Sequence, residues 1–108
     1  MSDKTRLAEK LNTLAKVAER GGDDQMIEQT LTKLLAYAAD KHRRHLEDIM
    51  AKLRALEEHS GMTSDLFAEK FQRGELGDNE VFLRWDALLE MQRRVTQRLA
   101  LLQADVSL

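Results

Sequence analysis

The chain has no cysteine and no proline among its 108 residues. Without thiols there is no disulfide framework, no zinc-thiolate site and no cysteine nucleophile, and a reducing compartment suits it. Serine is scarce as well. Ser2, Ser60, Ser64 and Ser107 fall at ends and turns, so no residue is a candidate for catalytic nucleophile, and a non-enzymatic protein that needs no cofactor is expected. Charge of one sign is also missing: 17 Lys and Arg against 19 Asp and Glu leave a formal −2, which gives no global pull toward nucleic acid. No apolar run approaches the roughly 20 residues needed to span a bilayer. The start, MSDKTRLAEKLNTLAKVAER, is too charged for a signal peptide, and a cytoplasmic protein with no membrane partner is expected.

Charge and aliphatic side chains are what the chain has in quantity. With 33% charged and 43% apolar residues it is too hydrophobic for disorder, and its Leu, Ala, Glu, Lys and Arg are the residues of helical bundles and coiled coils. The length fits one domain with a modest core. An all-α fold is expected: a single helical domain over 1–108, built as an antiparallel helical hairpin or bundle around one long central helix.

Ser2 or Asp3 can cap a first helix, about 3–20, whose Leu7, Leu11, Leu14 and Ala18 step by four, three and four until Gly21 and Gly22 end it. This helix is a candidate separable arm, with 24–104 forming the hairpin core. Asp23 and Asp24 supply acceptors and negative charge for the start of the next helix. No breaker then appears before Glu58. At 1.5 Å per residue, about 35 residues make a rod of roughly 50 Å, which needs lateral support. The spacing puts Ile27, Leu31, Leu34 and Ala38 on its seam, then Lys41 and His45, and resumes one position later with Leu46, Ile49, Leu53 and Leu56. Such a phase slip around Asp40-Lys41-His42 fits a local stutter, and it also fits a bend or a break.

In SGMTSDLFAEKFQRGELGD, Gly61 suits the left-handed residue that closes a helix, Thr63 can cap the next, and Met62 can staple onto Phe67. Phe67 and Phe71, four apart, give this short helix one aromatic face, Gly74 ends it, and Asp78 can cap the last helix. The segment reads as an aromatic corner. The final helix, about 79–104, carries Val81, Trp85, Leu88, Gln92, Val95, Leu99 and Leu102 in strict heptad steps. The tail after it is expected to fray.

Candidates for chemistry are few. His42 and His45 share a helix face, but two ligands on one helix need further ligands opposite to hold a metal, and the alternative is a polar layer that fixes register. No metal site is therefore expected. Lys41, Arg43 and Arg44, with Arg93, Arg94 and Arg98 on the last helix, are candidates for a phosphate-binding patch, interrupted by Asp40, Glu47, Asp48 and Glu90. Gly74-Glu75-Leu76-Gly77-Asp78 lacks the lysine of a phosphate loop and follows no strand. Phe67, Phe71 and Trp85 read as core rather than as a ligand pocket.

The stretch from Gly61 to Leu102 resembles a set of small prokaryotic helical proteins encoded beside toxin genes, the antitoxin-like proteins. The similar features are Gly61-Met62-Thr63-Ser64, Phe67, the Phe71 to Gly74 element, Glu75, Leu76, Asp78, Trp85, and Arg98-Leu99 with Leu102. Together with the long helix they cover about two thirds of the chain; the first helix and Lys41 to His45 fall outside the pattern. The resemblance implies an antitoxin whose amphipathic helix masks a toxin's active surface, with apolar anchors for affinity and charges for orientation. On that reading Leu7, Leu11, Leu14 and Val17 form the partner-binding face. A homo-oligomer, as a dimer, is expected as well; a homodimeric structural adaptor and a small nucleic-acid binder are the alternatives.

Overall fold

The computed structural model describes residues 3–21 and 24–106. Four helices, α1 (Asp3–Glu19), α2 (Asp24–Ser60), α3 (Ser64–Gln72) and α4 (Glu80–Val106), account for its regular structure, and the described residues include no strand. The protein is all-α, as its composition and periodicity lead one to expect. The expected cap at Ser2, the Gly22 stop, the Asp23 signal and the end of the tail, Ser107 and Leu108, lie outside the described residues. Asp3 is already helical, so it contributes first-turn negative charge rather than a cap preceding the helix.

No break interrupts the 37 residues of α2. The side chains it covers explain the phase slip: Ile27, Leu31, Leu35, Ala38, His42, Leu46, Ile49, Leu53 and Leu56 are buried or half-buried. They advance by four, four and three, twice, before a heptad step takes over. Eleven residues in three turns stay on one face of an α-helix, whereas a strict seven-residue step drifts about 20° per repeat. The seam read through Leu34, Lys41 and His45 is thereby corrected. Leu34 is 56% exposed, Lys41 and His45 face outward, and Leu35 and His42 take the seam positions.

The chain divides into two compact units, Met1–Leu35 and Ala36–Leu108. In the first, none of the described side chains is buried; Ala18, Ile27, Leu31 and Leu35 are half-covered. After α1, the Arg20 N–H donates to the Val17 carbonyl (3.1 Å) and the Gly21 N–H to that of Ala18 (3.2 Å).

The second unit owns the core. Ile49 and Leu53 from α2, Phe67 from α3, and Trp85, Leu88 and Val95 from α4 form one buried cluster, with Leu46, Leu56, Met62, Phe71, Leu76 and Phe82 packed around it. Ala39 and Leu99 are buried as well. Of the heptad positions of α4, Gln92 and Leu102 are half-buried, and Val81, in the first turn and ahead of the buried run, stays 42% exposed.

The corner folds locally by capping. Gly61 adopts φ +70°, which lets its own N–H (2.9 Å) and that of Met62 (3.3 Å) close back on the Glu57 carbonyl. Thr63 is the N-cap of α3, its hydroxyl accepting from the Leu66 N–H at 3.2 Å. At the other end the Gly74 N–H reaches the Phe71 carbonyl (3.1 Å) and the Glu75 N–H that of Lys70 (3.0 Å). The cap of α4 is one residue later than Asp78: Asn79 Oδ1 accepts from the Val81 N–H at 2.7 Å, and the Asn79 carbonyl accepts from Leu83. With α4 beginning at Glu80, Asn79 is the residue at the cap position and Asp78 lies one residue outside it.

Candidate interaction site

Two surfaces stand out, one on each unit. On α1, Leu7, Leu11, Leu14 and Val17 are 60%, 46%, 39% and 45% exposed, and α1 has no buried residue at all. Leu7, Leu11 and Leu14, with Ala8, Ala15 and Ala18, form one apolar stripe along the helix; Val17 lies at its edge, between Arg6 and Lys10. The expected partner-binding residues are thus on one side of a solvated helix.

The described cations of α1 lack the ion pairs that the later helices carry. From Asp40 onward, five acidic residues each pair with a basic residue one turn later: Asp40 with Arg44 (2.7 Å), Asp48 with Lys52 (3.2 Å), Glu69 with Arg73 (2.9 Å), Glu80 with Arg84 (3.4 Å) and Glu90 with Arg94 (3.7 Å). Acid before base at this spacing supports a helix by about 0.2–0.5 kcal/mol per pair. In α1 the same spacing sets like charges together, Arg6 over Lys10. Among the described residues, none of the ion pairs involves Lys4, Arg6, Lys10 or Lys16.

The six cations singled out for phosphate binding are mostly engaged within their own helices. Arg43 and Arg44 both lie against Asp40, and Arg93 and Arg94 both lie against Glu90; Lys41 and Arg98 are exposed. Arg93 is the tighter partner, with Nε donating to Glu90 Oε2 at 3.2 Å and Nη2 to Oε1. That hydrogen bond, more than the general attraction of Arg93 and Arg94, holds the Glu90 carboxyl below its ordinary range and raises Arg93 in return. His42 is half-buried on the α2 seam, while His45 is exposed. Among the described residues no three His, Asp or Glu side chains group as a metal ion would require.

The second surface is a groove of about 310 Å³ beside the corner. Met50, Leu53 and Leu89 supply its apolar lining, and Arg54, Glu57, Asp65 and Gln92 its polar edge. A shallower hollow lined by Glu58 and Met62 adjoins it through Glu57 and Thr63. Glu57 also serves the fold, since one of its oxygens accepts the Ser64 N–H at 2.8 Å. Ser64 Oγ in turn accepts the Trp85 indole N–H at 3.0 Å, so three helices meet in one polar chain.

Beneath this chain lie the aromatics. Phe67 and Trp85 are fully buried, their rings parallel within 3° and 4.2 Å apart; Phe71 and Phe82 stand 5.3 and 5.7 Å from Phe67. These rings are core, as their helical spacing suggests. The Glu57–Ser64–Trp85 connection escaped the sequence reading. Its signal was the indole N–H, which needs an acceptor when the ring is buried. Comparison with protein-family models, curated proteins and solved structures found no match for the chain.

Proposed function

We propose that the protein is a non-enzymatic, cytoplasmic binding module, antitoxin-like, that covers a surface of a toxin protein with the apolar stripe of α1. The observation that carries this reading is the contrast between the units. Residues 36–108 have a closed aromatic core, whereas none of the described side chains of residues 3–35 is fully buried. A helix of 17 residues is marginal in water without packing on its apolar face, and a stripe with Leu7, Leu11 and Leu14 in solvent is a groove-binding helix awaiting its groove. Among the described residues no helix is long and apolar enough to cross a membrane. Among the described residues no ionisable side chain is fully buried; His42, Glu57 and Lys70 are half-buried and the others exposed, which fits recognition better than acid–base chemistry in a dry cleft.

The test is co-purification with the product of the adjacent gene. Leu11→Asp/Leu14→Asp places two carboxylates in the stripe and is expected to weaken capture by about a hundredfold or more, the loss typical of buried anchor residues. Circular dichroism should show the helices of 36–108 intact. Undiminished capture by the double variant refutes the assignment.

A further inference from the structure

We infer that, before it meets its partner, α1 is sheltered by a second copy of this chain, lying in the groove between Met50 and Leu89 of that copy. This goes beyond the partner reading: it shares with it the exposed stripe of α1 and adds the groove and the charges around it. Both complementary faces belong to the molecule. The groove offers a lining of Met50, Leu53 and Leu89, wide enough for one or two leucine side chains. Around it and the adjoining hollow stand three carboxylates, Glu57, Glu58 and Asp65, against one guanidinium, that of Arg54. No described ion pair occupies Glu58, Asp65 or Arg54.

The arm presents the opposite signature. Its stripe is aliphatic, and along one edge Arg6 and Lys10 repel each other with no acid paired to them. Placed against an acidic rim, that repulsion becomes attraction. The same pair of faces used reciprocally by two copies gives a closed twofold dimer, the commonest oligomer of soluble proteins. Nucleic acid is the poorer occupant for this arm: Asp3, Glu9 and Glu19 are interleaved with the cations, and the helix has no aromatic ring to stack on a base.

The absence of native cysteine makes the geometry directly testable. Full-length Leu11→Cys is mixed with full-length Met50→Cys under mild oxidation and resolved on a non-reducing gel. A disulfide-linked pair containing one of each is expected, well above the yield of either variant alone or of Leu11→Cys with Leu83→Cys, an exposed position on α4. Equal yields in all four samples, the two mixtures and the two single variants, overturn the inference. So does a Leu11→Cys/Met50→Cys double variant that closes the bond within one chain. Light scattering supplies the second arm. Lys10→Glu and Glu58→Lys should each raise the dimer dissociation constant several-fold, and added salt should do the same. The two reversals combined should restore the dimer; a monomer at every concentration, or no recovery in the combined variant, refutes it. Failure of toxin capture leaves these readouts unchanged, so the two proposals fail separately.

Discussion

Removing the Phe67 ring is the sharpest test of how the second unit is held together. Phe67 has 0% exposure and sits among three other rings, parallel to Trp85 at 4.2 Å, with Phe71 and Phe82 at 5.3 and 5.7 Å. Phe67→Ala loses the transfer free energy of a buried ring and opens a cavity whose walls belong to three helices, at a cost of about 3–5 kcal/mol. A unit running from Ala36 to Leu108 has a total stability of only about 4–11 kcal/mol by the usual 0.05–0.15 per residue. The single truncation therefore removes about a quarter of it or more, and up to all of it. Phe67→Leu keeps most of the volume and loses the ring–ring attraction, so about 1–2 kcal/mol is expected. The assay is urea unfolding followed by fluorescence. Trp85 is the only tryptophan and reports from inside the cluster. With a slope of roughly 1 kcal/mol per molar urea for a small unit, the midpoint should fall by about 3 M or more for the alanine variant and by about 1–2 M for leucine. A fall below about 1 M for Phe67→Ala would show that the corner collapses onto the vacancy, and that the stacked rings are not what fixes α3 to α4.

Four further outcomes are expected. Ser64→Ala leaves the buried indole N–H of Trp85 without its acceptor and should cost about 1–2 kcal/mol in the same unfolding assay, with a shifted emission maximum in the native state. Gly61→Ala should cost about 1–2 kcal/mol although nothing lies within 4 Å of where the methyl would sit, because φ +70° is disfavoured for any residue with a Cβ. His42→Leu should stabilise the second unit by about 1 kcal/mol, measured by urea titration, since an imidazole half-buried on the α2 seam gives way to apolar surface. Glu90, held below its ordinary value of 4.5 chiefly by the Arg93 hydrogen bond, should titrate low by carboxyl NMR. A carboxyl lowered in the folded state stabilises above its unfolded pKa and loses that contribution as pH falls through the folded one. The effect should shrink in Arg93→Gln, where only the attraction of Arg94 remains.

Much of this architecture is legible in the sequence, because the strongest local signals and the tertiary outcome agree. Gly61, Thr63 and Gly74 mark both ends of α3, and they do so through backbone hydrogen bonds that depend on neighbours within five residues. The heptad of α4 finds its buried face at Trp85, Leu88, Val95 and Leu99. The seam of α2 was harder, because Leu34 and Leu35 are adjacent and equally apolar. A seven-residue template prefers the first; the eleven-residue step that selects the second shows only in which side chain is covered. Asp78 and Asn79 posed the same problem on a smaller scale. Both are good caps, and the choice rests on a backbone that begins its helix at Glu80. The groove beside the corner was not legible at all, since Met50, Asp65 and Leu89 come from three helices and share no local pattern.

Charge follows the division between the units as clearly as burial does. In the second unit each helix carries acid-before-base pairs, and among the carboxylates left outside them Glu57, Glu58 and Asp65 gather around the groove. In α1 the cations are set against one another and the leucines are left in water, which costs the isolated helix on two counts. Both costs are recovered by a surface that is apolar in its floor and acidic at its edge. Either half of that surface alone recovers less. A purely apolar groove leaves Arg6 and Lys10 in repulsion, and a purely acidic surface leaves Leu7, Leu11 and Leu14 in solvent. The requirement for both at once restricts what α1 can bind, and it is the physical basis of any specificity the arm has.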